Sequence, residues 1–442
     1  MRITSDSIAS TSGPTLHHSS SYSELAPDVV EQSRSTHGGR APNILSPGSA
    51  ELLKADIGTA GDTRASAPVL SNNRAFNFAP GPGMLFEDVM LQAHREFMNW
   101  QGTGISILEM SHRSPEFGSI IDATRDSLRT LANVPADYEI LFVQGGATQI
   151  FSSLPMNLSK AGDTVDYIVN GYWSEFAAQE AGRYCNVNIA AIDETFTTCP
   201  DRATWQLTPG AAYVHYCANE TIHGCEYQEV PDVGDVPLIC DMSSNFLSKP
   251  LDVSKFDMIY AGAHKNVGPA GLAIIVVKKK LLGAARPETP LMLNFEALAE
   301  AGSMLNTPPV FPIYFAGLVF AKLLALGGLE AMEQYNRRKA ALLYDALDQS
   351  GGYYTYPMRR EVRSLMNVPF ALATPALEAA FLAEAGEARL LGLKGHKVAG
   401  HCRASIYNGM PLEGVRALVA FLKDFQKRHP VDASADLEMR DE

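Results

Sequence analysis

Lys265 is the residue whose surroundings ask for a chemical explanation. It follows an apolar run in IYAGAHKNVGPAG (259–271), where the chain is cut down to Ala and Gly around one long cation. A solvated surface lysine needs no such clearing, whereas an amine that must react with a bulky ligand does. Three other strand-like runs end on residues able to do chemistry. EILFV (139–143) feeds Gly145, Gly146, Ala147 and Thr148, a turn whose backbone N–H groups, opening a helix, can hold a phosphate. VDYIVN leads to Gly171-Tyr172-Trp173, which sets an aromatic at a strand end, and VPLIC leads to Asp241 with Ser243 two residues on.

Each feature has an ordinary reading. A Gly-Gly turn is usually only a turn, a lone tryptophan usually core, a strand-end aspartate usually a cap or turn former, and a lysine after a strand usually solvated. One ligand asks for all four together. Pyridoxal 5'-phosphate needs an amine for a Schiff base, a carboxylate against its pyridine nitrogen, a helix N-terminus for its phosphate and an aromatic face against its ring. Ligands of open α/β sheets sit at the carboxyl ends of strands, so one edge of one sheet can supply every part.

The elements that must position these residues follow from the apolar pattern. From Phe76 onward, strand-like runs alternate with helical ones, and the strand runs are continuously apolar rather than alternating. That predicts an α/β fold with a mainly parallel sheet covered by helices on both faces. A long helical segment (327–351), shorter strands and the closing stretch EGVRALVAFLKDFQKRH predict a smaller C-terminal α+β domain. The expected division is a large cofactor-binding domain over residues 75–330, a small domain over 331–430 and a tail over 431–442. Residues 1–74 are rich in Ser, Thr, Gly and Pro and poor in large apolar residues, which predicts a disordered or targeting extension. Arg2 and the hydroxyl residues suit a transit peptide, but Asp6, Glu24, Asp28 and Glu31 do not. A cytoplasmic enzyme is expected, with a plastid or mitochondrion as the alternative.

Composition narrows the partners. The 442 residues carry a formal net charge of -13, which argues against general affinity for nucleic acid or anionic membranes. An anionic ligand would need a locally built cationic pocket. The six cysteines form no C-x-x-C pair, so reduced thiols are expected and no metal site. VFPIYFAGLVFAKLLALGG is interrupted by Pro312 and Lys322 and reads as a buried helix rather than a membrane span.

The motifs resemble those of the phosphoserine aminotransferases, class V members of the fold-type I pyridoxal phosphate enzymes. The matching stretches are FNFAPGPGML, WQGTGISILEMSHR, VNGYWSEFA, HYCANETIHG, DMSSNFLSKPLDVSKF, YAGAHKNVGPAGL, LNTPPVF, RSLMNVPF and KGHKVAGHCRASIYNGMPLEGV, and they run from about Phe76 to His429. The resemblance implies that Lys265 forms the Schiff base and moves the proton at the substrate's α-carbon. It makes Asp241 the partner of the pyridine nitrogen, Trp173 the stacking ring and Thr221 the donor to the phenolic oxygen. Ser243, Ala147 and Thr148 would hold the cofactor phosphate, joined by Asn306 and Thr307 from the second subunit of a homodimer with shared sites. Arg403 would clamp the substrate α-carboxylate, since its planar fork matches that group. His112 and Arg113 of one subunit, with His396 and Lys397 of the other, would bind the substrate phosphate. The implied reaction is a ping-pong transamination of 3-phosphohydroxypyruvate with L-glutamate in serine biosynthesis, with 4-phosphohydroxy-L-threonine as a possible further substrate.

The chain departs from the family pattern in places. His264 stands where glutamine is usual, and the phosphate turn lacks two of its usual glycines. Lys397 replaces arginine, keeping the charge but losing the fork, and Phe86 replaces a proline. Three rival readings remain. An aminotransferase of the alanine, serine or glyoxylate type would have no use for His112-Arg113 and His396-Lys397. A cysteine desulfurase would need a mobile nucleophile, and Cys402 lies in a strand-like run. A cofactor-free binding protein would have no use for Lys265, Asp241 and Trp173.

Overall fold

Continuous apolar runs become strands buried on both faces. The computed structural model describes residues 73–431. Most of the predicted extension, and all but the first residue of the predicted tail, lie outside them. In chain order the elements are β1 (Phe76–Asn77), α1 (Glu87–Glu96), α2 (Pro115–Leu131), β2 (Tyr138–Gln144), α3 (Ala147–Leu158), β3 (Thr164–Val169), α4 (Tyr172–Ala181) and β4 (Asn186–Ile192). Next come β5 (Val214–Cys217), β6 (Leu238–Asp241), β7 (Met258–Gly262), β8 (Leu272–Lys278), α5 (Phe295–Glu300), α6 (Val310–Ala325) and α7 (Gly328–Asp348). The chain closes with β9 (Asn367–Phe370), α8 (Pro375–Glu387), β10 (Leu390–Leu391), β11 (Cys402–Ser405) and α9 (Leu412–Arg428).

Seven strands form one sheet in the order β2-β8-β7-β6-β5-β3-β4. Its neighbours pair parallel except at β8, which runs antiparallel to both β2 and β7. The reason is the length of the β7–β8 connection. A parallel return needs a crossover of roughly a dozen residues or more, and only residues 263–271 are available. That short connection carries Lys265.

Both sheet faces are covered. On one side, Phe117, Ile121 and Leu128 of α2 and Ile313, Leu318 and Phe320 of α6 pack against Ile140, Ile259 and Ile274. On the other, Ile150, Phe151 and Leu154 of α3 and Ala177 and Ala181 of α4 pack against Tyr260 and Ile275. Helix α6 is apolar nearly all round because it is buried nearly all round. Its Lys322 is buried and paired with Asp88 at 2.6 Å. No single helix among the described residues is long and apolar enough to cross a membrane.

A second core gathers the C-terminal elements. Leu343 and Leu347 of α7, Phe381 of α8, Val368 of β9, Ala404 of β11 and Leu418 of α9 pack together. Phe76, Phe78 and Met84 join this core from the start of the described chain, and β1 pairs with β10. Helix α7 spans both cores, with Leu329 and Met332 in the first and Leu343 and Leu347 in the second. It is the rigid connection between sheet and C-terminal layer.

Candidate active site

The carboxyl ends of the parallel strands converge as the apolar pattern requires. Strand β6 ends on Asp241, β7 runs into the turn bearing Lys265, and β5 runs into the loop with Glu220 and Thr221. Strands β2 and β3 run into α3 and α4, which start with Ala147-Thr148 and Tyr172-Trp173. Asp241 lies in register between Cys217 of β5 and Tyr260 of β7.

Lys265 is buried, 8% exposed. Its Nζ donates to Thr221 Oγ1 at 2.6 Å and lies 5.9 Å from the centre of the Trp173 ring. Burial lowers the pKa of the amine, and the Asp241 charge opposes that shift only in part. For Asp241 the balance runs the other way. Burial raises its carboxyl pKa, with Lys265 the chief opposing influence, and Ser243 N donates to its Oδ1 at 2.7 Å. A buried acid pushed upward is ready to gain from a cationic or N–H partner.

The phosphate turn is built from absent side chains. Gly146 caps α3 without a side-chain hydrogen bond, which leaves the first-turn N–H groups available to an anion. At Gly145, φ is +107°, a left-handed conformation that favours glycine. Ser243 Oγ accepts from Gly262 N at 3.0 Å, and its side chain also hydrogen-bonds the Asp241 carboxylate.

His264 packs closely between two glycines. A Cβ on Gly81 would lie 2.6 Å from its Cδ2, and one on Gly262 would lie 2.9 Å from its Cε1. The same point on Gly262 is 3.7 Å from Ala147 N, so the imidazole sits beside the start of α3. Burial and then Lys265 push it down to about 4. In this position it is a neutral ring at physiological pH.

Arg403 on β11 reaches this edge from the C-terminal layer. It is 3% exposed, donates from Nη1 to the Thr221 carbonyl at 3.4 Å, and its buried Nε has no partner. His396 lies beside α4, its ring 5.3 Å from that of Tyr172, and Lys397 next to it is exposed. Burial, Arg403 and Lys397 lower the His396 pKa. His112 and Arg113 stand on the turn into α2, where Ser114 caps the helix by accepting from Phe117 N. Asn306 and Thr307 are exposed and rest against Gln144 at the end of β2, with Gln144 Nε2 donating to Thr307 O at 2.7 Å. One chain thus brings Lys265, Asp241, Trp173, Thr221, Ser243, His264, Arg403 and His396 to one edge. Asn306-Thr307 stand beside the end of β2, next to the turn into α3, and His112-Arg113 stand at the turn into α2.

Two residues here escaped the sequence reading, both in ANETIHG beside Thr221. Glu220 is fully buried and receives the N-terminus of α4: Ser174 N and Oγ donate to Oε1, each at 2.8 Å, and Trp173 N donates to Oε2 at 3.2 Å. Burial pushes its carboxyl up to about 7 against those hydrogen bonds. His223 is 9% exposed, its ring is 4.8 Å from that of Phe196, and its buried Nδ1 has no partner. Burial, followed by His396, Arg403 and His401, pushes it down to about 4. The available signal was adjacency: both stand within two positions of Thr221, the hydroxyl singled out in that stretch.

These residues fit pyridoxal phosphate on the structure's own terms. The amine is buried at the strand ends, 8% exposed, with glycines packed about it. The carboxylate is buried and raised, the helix N-terminus lacks a side-chain cap, and Trp173 Nε1 and Arg403 Nε are buried without partners. Among the described residues no group of three or more His, Cys, Asp or Glu is placed to hold a metal.

Comparison with known proteins agrees. The Aminotransferase class-V family profile matches residues 75–418. The chain is 50% identical over 366 residues to Phosphoserine aminotransferase 1, chloroplastic, of Arabidopsis thaliana, covering 82% of this chain and 85% of that protein. It is 49% identical over 356 residues to the phosphoserine aminotransferase of Laribacter hongkongensis (strain HLHK9), covering 80% and 99%. The solved phosphoserine aminotransferase of Bacillus circulans subsp. alkalophilus superposes with a TM-score of 0.79 at 41% identity, covering 80% of this chain and 99% of that one. By sequence, fold and site, the chain belongs to the phosphoserine aminotransferase family of class V aminotransferases, which use pyridoxal 5'-phosphate.

Proposed function

We propose that this enzyme transfers the amino group of L-glutamate to 3-phosphohydroxypyruvate, giving O-phospho-L-serine and 2-oxoglutarate in serine biosynthesis. The observation that carries the reading is Arg403: a buried guanidinium with an unpartnered Nε, held by the carbonyl of the residue that also holds Lys265. A buried arginine fork of this kind suits a carboxylate placed next to the reactive amine. The Lys397 cation and the His396 imidazole beside it stand near α4 in a chain whose net charge is -13, which supports a second anionic group on the substrate.

The residues divide the work. When bound, pyridoxal phosphate supplies an electron sink for the bond broken at the substrate's α-carbon. Asp241 would hold negative charge against its pyridine nitrogen, and Trp173 would cover its ring. The N–H groups opening α3, with Thr148, Ser243 and His264, would hold its phosphate. Lys265 Nζ, its basicity lowered by burial, takes and returns the proton at the substrate's α-carbon, while Thr221 Oγ1 orients that nitrogen. Arg403 fixes the α-carboxylate so that the α-proton faces Lys265.

The active form in this reading is a homodimer with shared sites. Met98, Ile105 and Leu108, exposed at 75%, 49% and 55%, lead up to His112-Arg113, an apolar approach suited to a second copy. Arg113 and His112 then serve the phosphate subsite completed by the other subunit's His396 and Lys397. Asn306 and Thr307 serve its cofactor phosphate in the same way. We place the enzyme in the cytoplasm, and a reporter fused to residues 1–74 that enters an organelle would overturn that.

A half-reaction screen of amino donors with the holoenzyme, followed by its visible absorbance, tests the substrate. Glutamate is expected as the preferred donor and the phosphorylated keto acid as the preferred acceptor. Equal use of glyoxylate or of unphosphorylated hydroxypyruvate would favour the alanine or serine–glyoxylate type. Arg113→Ala is expected to weaken phosphorylated substrates far more than unphosphorylated ones.

A further inference from the structure

Glu220 does something that a helix cap alone does not require. Helix α4 begins after Gly171, which has no side chain to cap it, and the acceptor for its first N–H groups comes instead from the loop after β5. Both carboxylate oxygens are used there, on Trp173 N, Ser174 N and Ser174 Oγ. A completely buried acid is costly unless such donors and a helix N-terminus receive it. The chain makes room for the arrangement, since a Cβ on Gly171 would lie 2.5 Å from Glu220 Cδ.

The next residue extends the connection. Thr221 accepts from Lys265 through its hydroxyl at 2.6 Å and from Arg403 through its carbonyl at 3.4 Å. The dipeptide is itself braced, with Glu220 N donating to Cys225 O and Gly224 N donating to Glu220 O, each at 2.8 Å. Two adjacent residues therefore touch the backbone of the stacking tryptophan, the reactive amine and the buried arginine. The Trp173 indole N–H has no partner of its own, so its backbone anchor is the polar hold on that ring's placement.

We propose that Glu220 is a positioning residue that locks Trp173 to the Thr221–Lys265 pair, so that ring face and amine keep one spacing. The inference rests on the cofactor site described above and is independent of the substrate's identity. Trp100→Phe and Trp205→Phe together leave Trp173 as the sole tryptophan reporter. In that background Glu220→Gln is expected to shift the Trp173 emission of the cofactor-free protein. It is also expected to raise the dissociation constant for pyridoxal phosphate, followed by quenching, about 10-fold or more. At saturating cofactor, kcat is expected to fall by a similar factor with little change in KM, as for a loss of alignment. Ser174→Ala, which removes one donor to the carboxylate, gives the same changes at smaller size and serves if Glu220→Gln does not accumulate. A lowered melting temperature with unchanged emission, cofactor affinity and kcat would make Glu220 a helix cap only and overturn the proposal. Failure of the wild-type holoenzyme to use phosphorylated substrates would count against the substrate reading, whereas normal cofactor binding by Glu220→Gln counts against this proposal.

Discussion

Lys265 Nζ donates to Thr221 Oγ1 at 2.6 Å, so the amine proposed to carry the chemistry is held by a neutral hydroxyl rather than by the Asp241 carboxylate. Were the two charges in direct contact, Asp241 would stabilise the ammonium form and the amine would be harder to free. Thr221→Val keeps the shape and removes the acceptor. Loss of a hydrogen bond from a charged donor, about 1.5–3 kcal/mol, should lower kcat/KM about 10- to 100-fold. The amine of the cofactor-free variant should also titrate lower, read from the pH dependence of cofactor capture. An unchanged titration would show that Thr221 does not hold Lys265 in solution.

Arg403 should behave as a substrate clamp rather than a structural cation. Arg403→Lys keeps the charge but loses the planar fork. The expected outcome is a KM for glutamate raised about 10-fold or more with cofactor affinity unchanged. Steady-state kinetics beside a cofactor titration separates the two effects.

Lys339 of α7 is buried completely and donates to three carbonyls after β11: Ile406 at 3.0 Å, Tyr407 at 2.7 Å and Met410 at 3.2 Å. Burial pushes this amine well below its usual value, yet three acceptors call for all three hydrogens of the ammonium form. Lys339→Met would take this donor from the Ile406 and Met410 carbonyls, Tyr407 O keeping Met410 N, and should cost about 3 kcal/mol. A lowered urea midpoint with an unchanged m-value would register it.

Three buried histidines make stability sensitive to acid. Burial holds His215 down to about 3, and His223 and His264 down to about 4, against an ordinary value of 6.5. Below pH 6.5 the unfolded chain takes up protons that the folded chain refuses, so stability falls as pH drops towards 4. Glu220, raised to about 7 from 4.5, and Asp241, also raised by burial, oppose this, because the folded chain there holds a proton the unfolded chain has lost. The three histidines outnumber these two acids, and the net slope is acid loss. His215 bonds Tyr260 Oη at 2.8 Å. His215→Gln, which can preserve that bond, should reduce the loss by about 1.4 kcal/mol per pH unit. Urea unfolding at pH 6 and pH 5 measures the difference.

Much of the site was legible because the signals are local. Lys265 announced itself through the small residues around it, Asp241 and Trp173 through their places at strand ends, and the α3 turn through its glycines. His264 was recognised as a departure, but its neutrality was not visible. That depends on packing between Gly81 and Gly262, which are far apart in the chain. Glu220 and His223 were passed over for a related reason. Glu220 meets Ser174 across 46 positions, and the two become neighbours only because β5 and β3 end side by side.

The sequence by itself determined the alternation of buried strands and helices, and with it the residues delivered to the carboxyl edge. Apolar periodicity and turn chemistry act over a few residues, so they can be read without the fold. The tertiary structure alone decided that Lys265 bonds Thr221 rather than Asp241 and that Glu220 caps a helix belonging to another strand. It also decided that Arg403 arrives from a second core with its Nε unpaired. Those facts depend on which strand ends are neighbours and on how deeply each group is withdrawn from water, and both are properties of the packed whole.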